Sequence, residues 1–147
     1  MKRAIRLIAG MVVAWGLAVA TAQASSPERV ERYDDISIYY NAMPTTRLAP
    51  DVASDYELQR SRVSGLLTIA VQRNGEPVNA RIDARVLNPR NQLQTIRMRE
   101  HAGGDSIYSV GTFRMEDGER MRFEVRVRPQ DHDEEYLLEF SQRLFSD

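Results

Sequence analysis

From residue 34 onwards, apolar and polar positions alternate with a period of two, which is typical of strands that bury one face. In the stretch 120–128, Met121 and Phe123 fall on one face while Arg120 and Arg122 fall on the other. Glycine- and proline-containing pairs such as Asn74-Gly75 separate these stretches as turn signals. The pattern predicts strands at residues 35–42, 64–73, 77–88, 92–101, 105–115, 120–128 and 135–145.

About seven short strands with a turn every ten or so residues predict an all-β fold, an immunoglobulin-like antiparallel β-sandwich. The stretch "APDVASDYEL" breaks the alternation. Pro50 suits a first helical position and Asp51 suits the first turn of a helix. The stretch therefore predicts one short helical turn after the first strand. The stretch "GLLTIAV" is apolar on both faces, which predicts a central strand that is covered on both sides.

The phase of the strands around Asp117-Gly118 predicts a crossing between two sheets. A two-residue hairpin at this point would set Arg114 opposite Met121. It would also turn Phe113 away from the core that holds Phe123. A crossing, which immunoglobulin-type sandwiches make at this point, removes that conflict.

The first 24 residues have the features of a secretory signal peptide. A positive start with Lys2 and Arg3 precedes an apolar run of 14 residues, which is shorter than the ~20 that a membrane span needs. Small residues at Ala22 and Ala24 then fit signal peptidase. The sequence therefore predicts a signal peptide at 1–24 that is cleaved after Ala24, a linker at 25–33, a β-sandwich domain at 34–147, and a periplasmic protein without membrane insertion after cleavage.

Charge and cysteine content narrow the function further. The chain has 20 basic and 21 acidic residues, and three of the basic ones lie in the predicted signal peptide. The mature chain would thus carry 17 basic and 21 acidic residues, a net charge of −4, which argues against nucleic acid as a partner. The absence of cysteine excludes thiol catalysis and thiolate metal sites.

Candidates for catalysis and metal binding are weak. The two histidines, His101 and His132, lie in stretches that we expect to be exposed loops, and neither has a nucleophile at a recognisable spacing. Alternate carboxylates in "DHDEE" resemble the start of a calcium loop, but Tyr136 stands where the glycine is needed and Gln142 where the glutamate is needed. We expect no catalytic residue, no metal site and no cofactor.

A row of arginines in "RMRFEVRVR" is the first candidate binding site. The row runs over about 27 Å, and all its members point away from the core. They are Arg120, Arg122, Arg126 and Arg128. Guanidinium groups match carboxylates and phosphates, so the row could hold an anionic glycan, a lipid headgroup or an acidic partner. The alternative is a solvated face with cross-strand charge pairs, in which Arg126 faces Glu139 and Arg128 faces Leu137.

The stretch "YDDISIYYNAM" supplies a second candidate. Tyr40 continues the face of Ile36 and Ile38, so we expect it in the core. Tyr39 and Asn41 lie on the opposite face. With two further arginines from "LQRSRVSGLL", Arg60 and Arg62, they could form a polar cleft.

The blocks "ISIYYNAM", "LAPDVASDYELQRSRVSGLLTIAVQRNGEPVNARI" and "EFSQRLFSD" resemble a family of small exported bacterial proteins, domain-of-unknown-function family 4426. The resemblance covers essentially the whole mature chain. It implies a periplasmic, immunoglobulin-like β-sandwich from a Gram-negative bacterium, and it implies no activity and no catalytic residues.

Three functions remain open from the sequence. The first is a non-enzymatic binding or interaction module whose partner is an unknown periplasmic protein or envelope component. The second is an envelope accessory factor that binds an anionic polymer or lipid headgroup through the arginine row. A hydrolase is the third and most remote.

Overall fold

The structure is a computed structural model, and it describes residues 29–146. The predicted signal peptide and its cleavage site lie outside these residues. Within them, ten strands, one 3-10 turn at Thr45–Arg47 and one short helix, α1, at Pro50–Asp55 are present. The strands are β1 Val30–Tyr33, β2 Ile36–Pro44, β3 Ser64–Arg73, β4 Glu76–Pro77, β5 Ala80–Leu87, β6 Leu93–Ile96, β7 Arg99–Gly103, β8 Ser106–Arg114, β9 Arg120–Pro129 and β10 Tyr136–Arg143.

The strands form two antiparallel sheets, which confirms the predicted all-β sandwich. Sheet A has the order β1-β2-β3-β8-β7, with β4 added to the end of β3. Sheet B has the order β10-β9-β5-β6. Asn74 and Gly75 form the predicted tight hairpin between β3 and β4, and both have positive φ angles of 51° and 80°. The chain also crosses from sheet A to sheet B between β8 and β9, as the phase around Asp117-Gly118 predicts.

Three elements differ from the prediction. The strand predicted at 77–88 is divided, because Pro77 belongs to β4 of sheet A and β5 of sheet B begins at Ala80. Residues 30–33, which the sequence assigned to a linker, form β1 and pair with the first half of β2. The single strand predicted at 92–101 is two strands, because the chain leaves sheet B after Ile96 and enters sheet A at Arg99. Ile96 and Met98 both turn towards the core, so the crossing does not interrupt the alternation.

The main core lies between the sheets. Residues of β2, β3 and β8 in sheet A meet those of β5, β9 and β10 in sheet B. Phe113 of β8 packs edge-on against Phe123 of β9, with ring centroids 5.1 Å apart. The Phe113 ring lies over Gly65 of β3, where a Cβ would come within 2.3 Å of the ring, so this packing requires glycine.

A second, smaller apolar cluster covers part of the outer face of sheet A. Leu66 of β3 and Val110 of β8 point outwards and pack under Leu48 and Ala53 of the segment that contains α1. Pro50 begins this helix, as the sequence predicts. The prediction that β3 is covered on both sides is therefore confirmed for its first half.

A glutamine side chain bridges the open side of the sandwich between β2 and β10. Gln142 of β10 donates a hydrogen bond of 2.7 Å from its Nε2 to the Ala42 carbonyl of β2. Its Oε1 accepts a hydrogen bond from the guanidinium of Arg29. The two sheets are thus tied together beside the first described residue of the chain.

Candidate functional site

The outer face of sheet B carries the arginine row, meaning Arg120, Arg122, Arg126 and Arg128 of β9. Strict alternation produces it, because Met121, Phe123, Val125 and Val127 fill the core and leave the intervening positions outside. All four arginines are exposed, as predicted, and Glu124 in the middle of the row is half-buried.

The strands that flank β9 place other charges beside the row, in a register that differs from the predicted one. Arg126 lies opposite Leu137 of β10, and Glu139 lies opposite Glu124. The predicted pairing of Arg126 with Glu139 is therefore wrong by two residues. On the other flank, Asp83 of β5 lies opposite Arg126, and Arg85 lies opposite Glu124.

The ion pairs of this face leave most of the row unpaired. Glu124 pairs with Arg85 at 2.5 Å, and Arg128 pairs with Glu135 at 3.5 Å. Within residues 29–146, the side chains of Arg120, Arg122 and Arg126 form no ion pair or hydrogen bond. The predicted charge pair between Arg126 and Glu139 is thus absent, and within residues 29–146 the one ion pair of the row joins Arg128 to Glu135.

Like charges also face each other on this sheet. Arg143 of β10 lies directly opposite Arg120, and Glu139 lies directly opposite Glu124. Like charges in direct cross-strand positions destabilise a sheet. The sequence pattern did not indicate Arg143 and Arg85 as neighbours of the row, and it placed Glu139 opposite Arg126 instead of Glu124, since these positions depend on the strand register and not on the alternation.

A groove of about 580 Å³ crosses this face near Arg126. It runs from Leu137 across Glu124 and Asp83 to the edge of the sheet, where Met98 and Ile96 line it. It contains both signs of charge and an exposed leucine. Its shape gives the face a concave region next to the unpaired arginines.

The second candidate site lies on the outer face of sheet A. Tyr39 and Asn41 point outwards from β2 and are half-buried. Tyr40 points inwards and its ring packs against Phe140, tilted by 40° and with ring centroids 4.5 Å apart. The predicted orientation of the two tyrosines is confirmed. The structure does not join Tyr39 or Asn41 to the two arginines by any hydrogen bond within residues 29–146.

Arg60 and Arg62 lie in the turn before β3, and a buried threonine positions that turn. Thr45 Oγ1 accepts a hydrogen bond from the Ser61 backbone N–H and donates one to the Ser61 carbonyl, at 2.9 and 3.0 Å. Arg60 then donates to the Thr46 carbonyl at 2.7 Å. Arg60 is therefore engaged in holding the turn, and Arg62 is exposed beside it.

The histidines lie on different elements. His101 is in strand β7, not in an exposed loop, and it packs edge-on against Tyr56 with ring centroids 5.0 Å apart. His132 is in the loop before β10, where its Nδ1 accepts a hydrogen bond from the Glu134 backbone N–H. In the described part of the chain, no hydrogen bond joins either histidine to a hydroxyl or carboxylate side chain, and no three histidine or acidic residues cluster closely enough to hold a metal ion.

Two tyrosines at one end of the sandwich have perturbed pKa values. Tyr33 stacks on Tyr136 with ring centroids 4.5 Å apart. Desolvation by burial raises the pKa of both, and Glu31 adds to the effect at Tyr33. At Tyr136 the nearby Glu134 raises the pKa further, and the hydroxyl donates a hydrogen bond of 3.3 Å to that carboxylate.

The two sheets define an all-β sandwich with one charged outer face, and comparison with known proteins gives its family. Residues 30–147 match DUF4426, described as a domain of unknown function, so this chain belongs to the DUF4426 family. No curated protein matches the sequence.

Solved structures share the fold. A DUF4426 family protein (PA0388) from Pseudomonas aeruginosa PAO1 is 24% identical, with a TM-score of 0.73 over 82% of this chain and 96% of that one. FetP from uropathogenic Escherichia coli strain F11 is 7% identical, with a TM-score of 0.59 over 80% of this chain and 93% of FetP. A copper-bound variant of FetP gives a TM-score of 0.58 at 7% identity, over 79% of this chain and 93% of that one. At these identities the likeness establishes the fold alone.

Among residues 29–146, no helix is long and apolar enough to cross a membrane.

Proposed function

We propose that this protein is a non-enzymatic binding module of the bacterial periplasm, and that it holds an anionic polymer or lipid headgroup on the outer face of sheet B. The proposal combines the first two functions that the sequence left open. The observation that carries it is that Arg120, Arg122 and Arg126 share one exposed face without an acidic partner within the described residues.

The charge of this face contrasts with that of the whole chain. The chain has a formal net charge of −1, whereas the outward positions of β9 hold four arginines and one glutamate. Direct opposition of Arg120 and Arg143 costs stability in the isolated domain. An anion between these guanidinium groups would relieve that repulsion, and the planar fork of arginine fits phosphate and carboxylate oxygens.

A hydrolase is less well supported by the same structure. His101 is packed against Tyr56 on sheet A, and His132 is in the β9–β10 loop of sheet B. A general base has to lie within hydrogen-bond reach of the group that it deprotonates. The likeness to the copper-bound FetP variant, at 7% identity, supports the fold alone.

Binding to polyanions tests the proposal. The probes are immobilised heparin, as a sulfated polymer, and vesicles with a phosphatidylglycerol headgroup. We expect retention that weakens steeply as salt rises. Replacing Arg120, Arg122 and Arg126 together by serine should lower the affinity at least about 10-fold.

The matched control replaces three exposed arginines outside sheet B, namely Arg32, Arg62 and Arg99, by serine. Both triple variants lose the same charge, so the total charge cannot explain a difference between them. Equal losses in the two variants would contradict the proposed face. A larger loss in the control would favour the sheet A site of Tyr39, Asn41, Arg60 and Arg62.

The periplasmic address is tested separately. We expect the mature protein in the periplasmic fraction to begin at Ser25, because Ala22 and Ala24 close a short apolar run. Intact-mass measurement decides this. A full-length species that sediments with membranes would contradict it.

A further inference from the structure

Within residues 29–146, β10 is an edge strand of sheet B and presents a regular set of backbone groups that no neighbouring strand pairs. Leu144, just after this strand, donates its backbone N–H to the Glu119 carbonyl and accepts from the Gly118 N–H. Since backbone direction alternates along a strand, the odd-numbered residues Leu137, Glu139, Ser141 and Arg143 direct their N–H and C=O groups away from β9. Such an edge can pair with another strand.

The side chains of β10 do not match those of its neighbour β9. Arg143 faces Arg120, and Glu139 faces Glu124. Neither Glu139 nor Arg143 forms an ion pair within residues 29–146. Further along the same edge, Leu137 and Phe145 are 53% and 49% exposed, so one large apolar side chain lies beyond each of the two charged residues.

We propose that β10 pairs antiparallel with β10 of a second copy of this chain, about a twofold axis at Ser141. The spacing of "LLEFSQRLF" carries the inference, because its charged and apolar positions are symmetric about Ser141. Glu139 then lies opposite Arg143 of the second copy. Leu137 lies opposite Phe145 of the second copy, and each contact occurs twice, as a twofold interface requires.

Other registers lose this match. An axis at Phe140 or Gln142 places Ser141 opposite one of the charged residues. An axis at Glu139 or Arg143 places two like charges face to face, which is unfavourable. The register centred on Ser141 also pairs odd-numbered residues with odd-numbered ones, so their outward N–H and C=O groups can bond to each other.

The pairing would join the two copies of sheet B into one continuous sheet of eight strands. Arg143 becomes paired, while Arg120, Arg122 and Arg126 of each copy remain exposed on the same face. The dimer would therefore present two arginine rows side by side. The dimer shares only Arg143 with the proposed anion site and does not depend on that site, because the spacing of charged and apolar residues in β10 carries the inference.

Charge reversal combined with sedimentation equilibrium tests the register. The wild-type protein should dimerise reversibly in the micromolar range. Glu139→Arg places two arginines opposite each other at both contacts, and Arg143→Glu does the same with glutamates. We expect each variant alone to self-associate at least about 10-fold more weakly. An equimolar mixture of the two should form a heterodimer, because both contacts are then opposite in charge.

The control is Arg81→Glu, an exposed charge reversal on β5 that does not contact the proposed interface. It should leave the dimer unchanged. Thermal unfolding of every variant separates weak pairing from loss of the fold. A wild-type protein that stays monomeric at high micromolar concentration would overturn the proposal. Dimerisation of Glu139→Arg and Arg143→Glu, each alone, with the wild-type affinity would overturn it as well.

A cysteine on the axis gives an independent measurement. The chain has no cysteine, so Ser141→Cys introduces a single thiol. In the proposed register the two Cα atoms at this position lie about 5.5 Å apart, within disulfide range. Mild oxidation should give a covalent dimer in high yield, whereas Ser54→Cys on the exposed side of α1 should not. Equal yields for the two would show that the cross-link reports only random collision.

Discussion

The outer faces of the two sheets are opposites. On sheet A, Leu66 and Val110 point outwards under the segment that contains α1, and both are buried. On sheet B, outward-facing positions of the central strand β9 carry arginines such as Arg122 and Arg126, and no element of the described chain covers them. The outer face of sheet A thus adds a second small core to the domain, whereas the outer face of sheet B is exposed to solvent.

The difference begins in two strand sequences. In β3, "GLLTIAV" places leucines on both faces, and the outward ones need a cover. In β9, "RMRFEVRVR" sends every apolar residue inwards and every charge outwards. A face that contributes nothing to burial can carry charges for binding at little cost to folding.

The largest expected effect tests the cover of sheet A. Leu66→Ala should lower the free energy of unfolding by about 2–5 kcal/mol, because the side chain is 1% exposed and its removal leaves a cavity. Arg126→Ala, at an outward position of sheet B, should change it by no more than about 0.5 kcal/mol. Urea unfolding measures both. If Leu66→Ala lowered the free energy of unfolding by less than Arg126→Ala does, the α1 segment would not form a packed cover.

The next effect compares two neighbouring tyrosines of β2. Tyr40→Ala should cost about 2–3 kcal/mol, since the ring packs into the core against Phe140. Tyr39→Ala should cost about 1 kcal/mol or less, because Tyr39 lies on the outer face. The urea midpoints of the two variants give the answer. Reversed midpoints would place Tyr39, and not Tyr40, in the core.

A smaller effect concerns the one close charge pair in the middle of the arginine row. A double-mutant cycle with Arg85→Ala and Glu124→Ala should give a coupling of about 0.5–1 kcal/mol, because the pair is close but half-exposed. The coupling should shrink at high salt. Arg122→Ala paired with Glu124→Ala is the control and should show almost none, since Arg122 has no partner within the described residues.

The smallest effect is at high pH, where the two sheets meet at Tyr33 and Tyr136. A tyrosine whose pKa is raised by folding stays protonated to higher pH in the folded state than in the unfolded state. Stability from this source is therefore present below pH ~10 and is lost as pH rises through the folded pKa. The free energy of unfolding, measured between neutral and alkaline pH, should fall as the pH rises, and Tyr33→Phe should make that fall smaller. If the fall were the same in Tyr33→Phe as in the wild type, groups other than Tyr33 would cause it.

The sequence was informative wherever burial depends on the alternation alone. It predicted the phase of β9, the orientation of Tyr40 and the crossing between β8 and β9, because Phe113 and Phe123 could share a core only across two sheets. The same reasoning could not separate β6 from β7. Ile96 and Met98 stay in phase while the chain changes sheets, so the alternation passes through the crossing unmarked.

Register was the limit for the candidate site. Moving β10 by two residues against β9 keeps every side chain on its face, so burial cannot distinguish the predicted pairing of Arg126 with Glu139 from the observed pairing with Leu137. The length of the preceding loop sets this register, and its sequence does not fix that length. Which arginines are unpaired, and hence where an anion could bind, was therefore beyond the pattern.

The link between Arg29, Gln142 and Ala42 brings the two ends of the described chain to the same side of the sandwich. A circularly permuted domain should consequently be possible, with a short linker from residue 146 to residue 29 and new ends in the exposed turn at Asn74-Gly75. Far-ultraviolet circular dichroism and urea unfolding of the permuted domain would show whether it keeps the sandwich. If it does, the order in which the strands are joined is not what determines this fold, and ligands or reporters can be attached at the hairpin, which belongs to sheet A and not to the sheet that carries the arginine row.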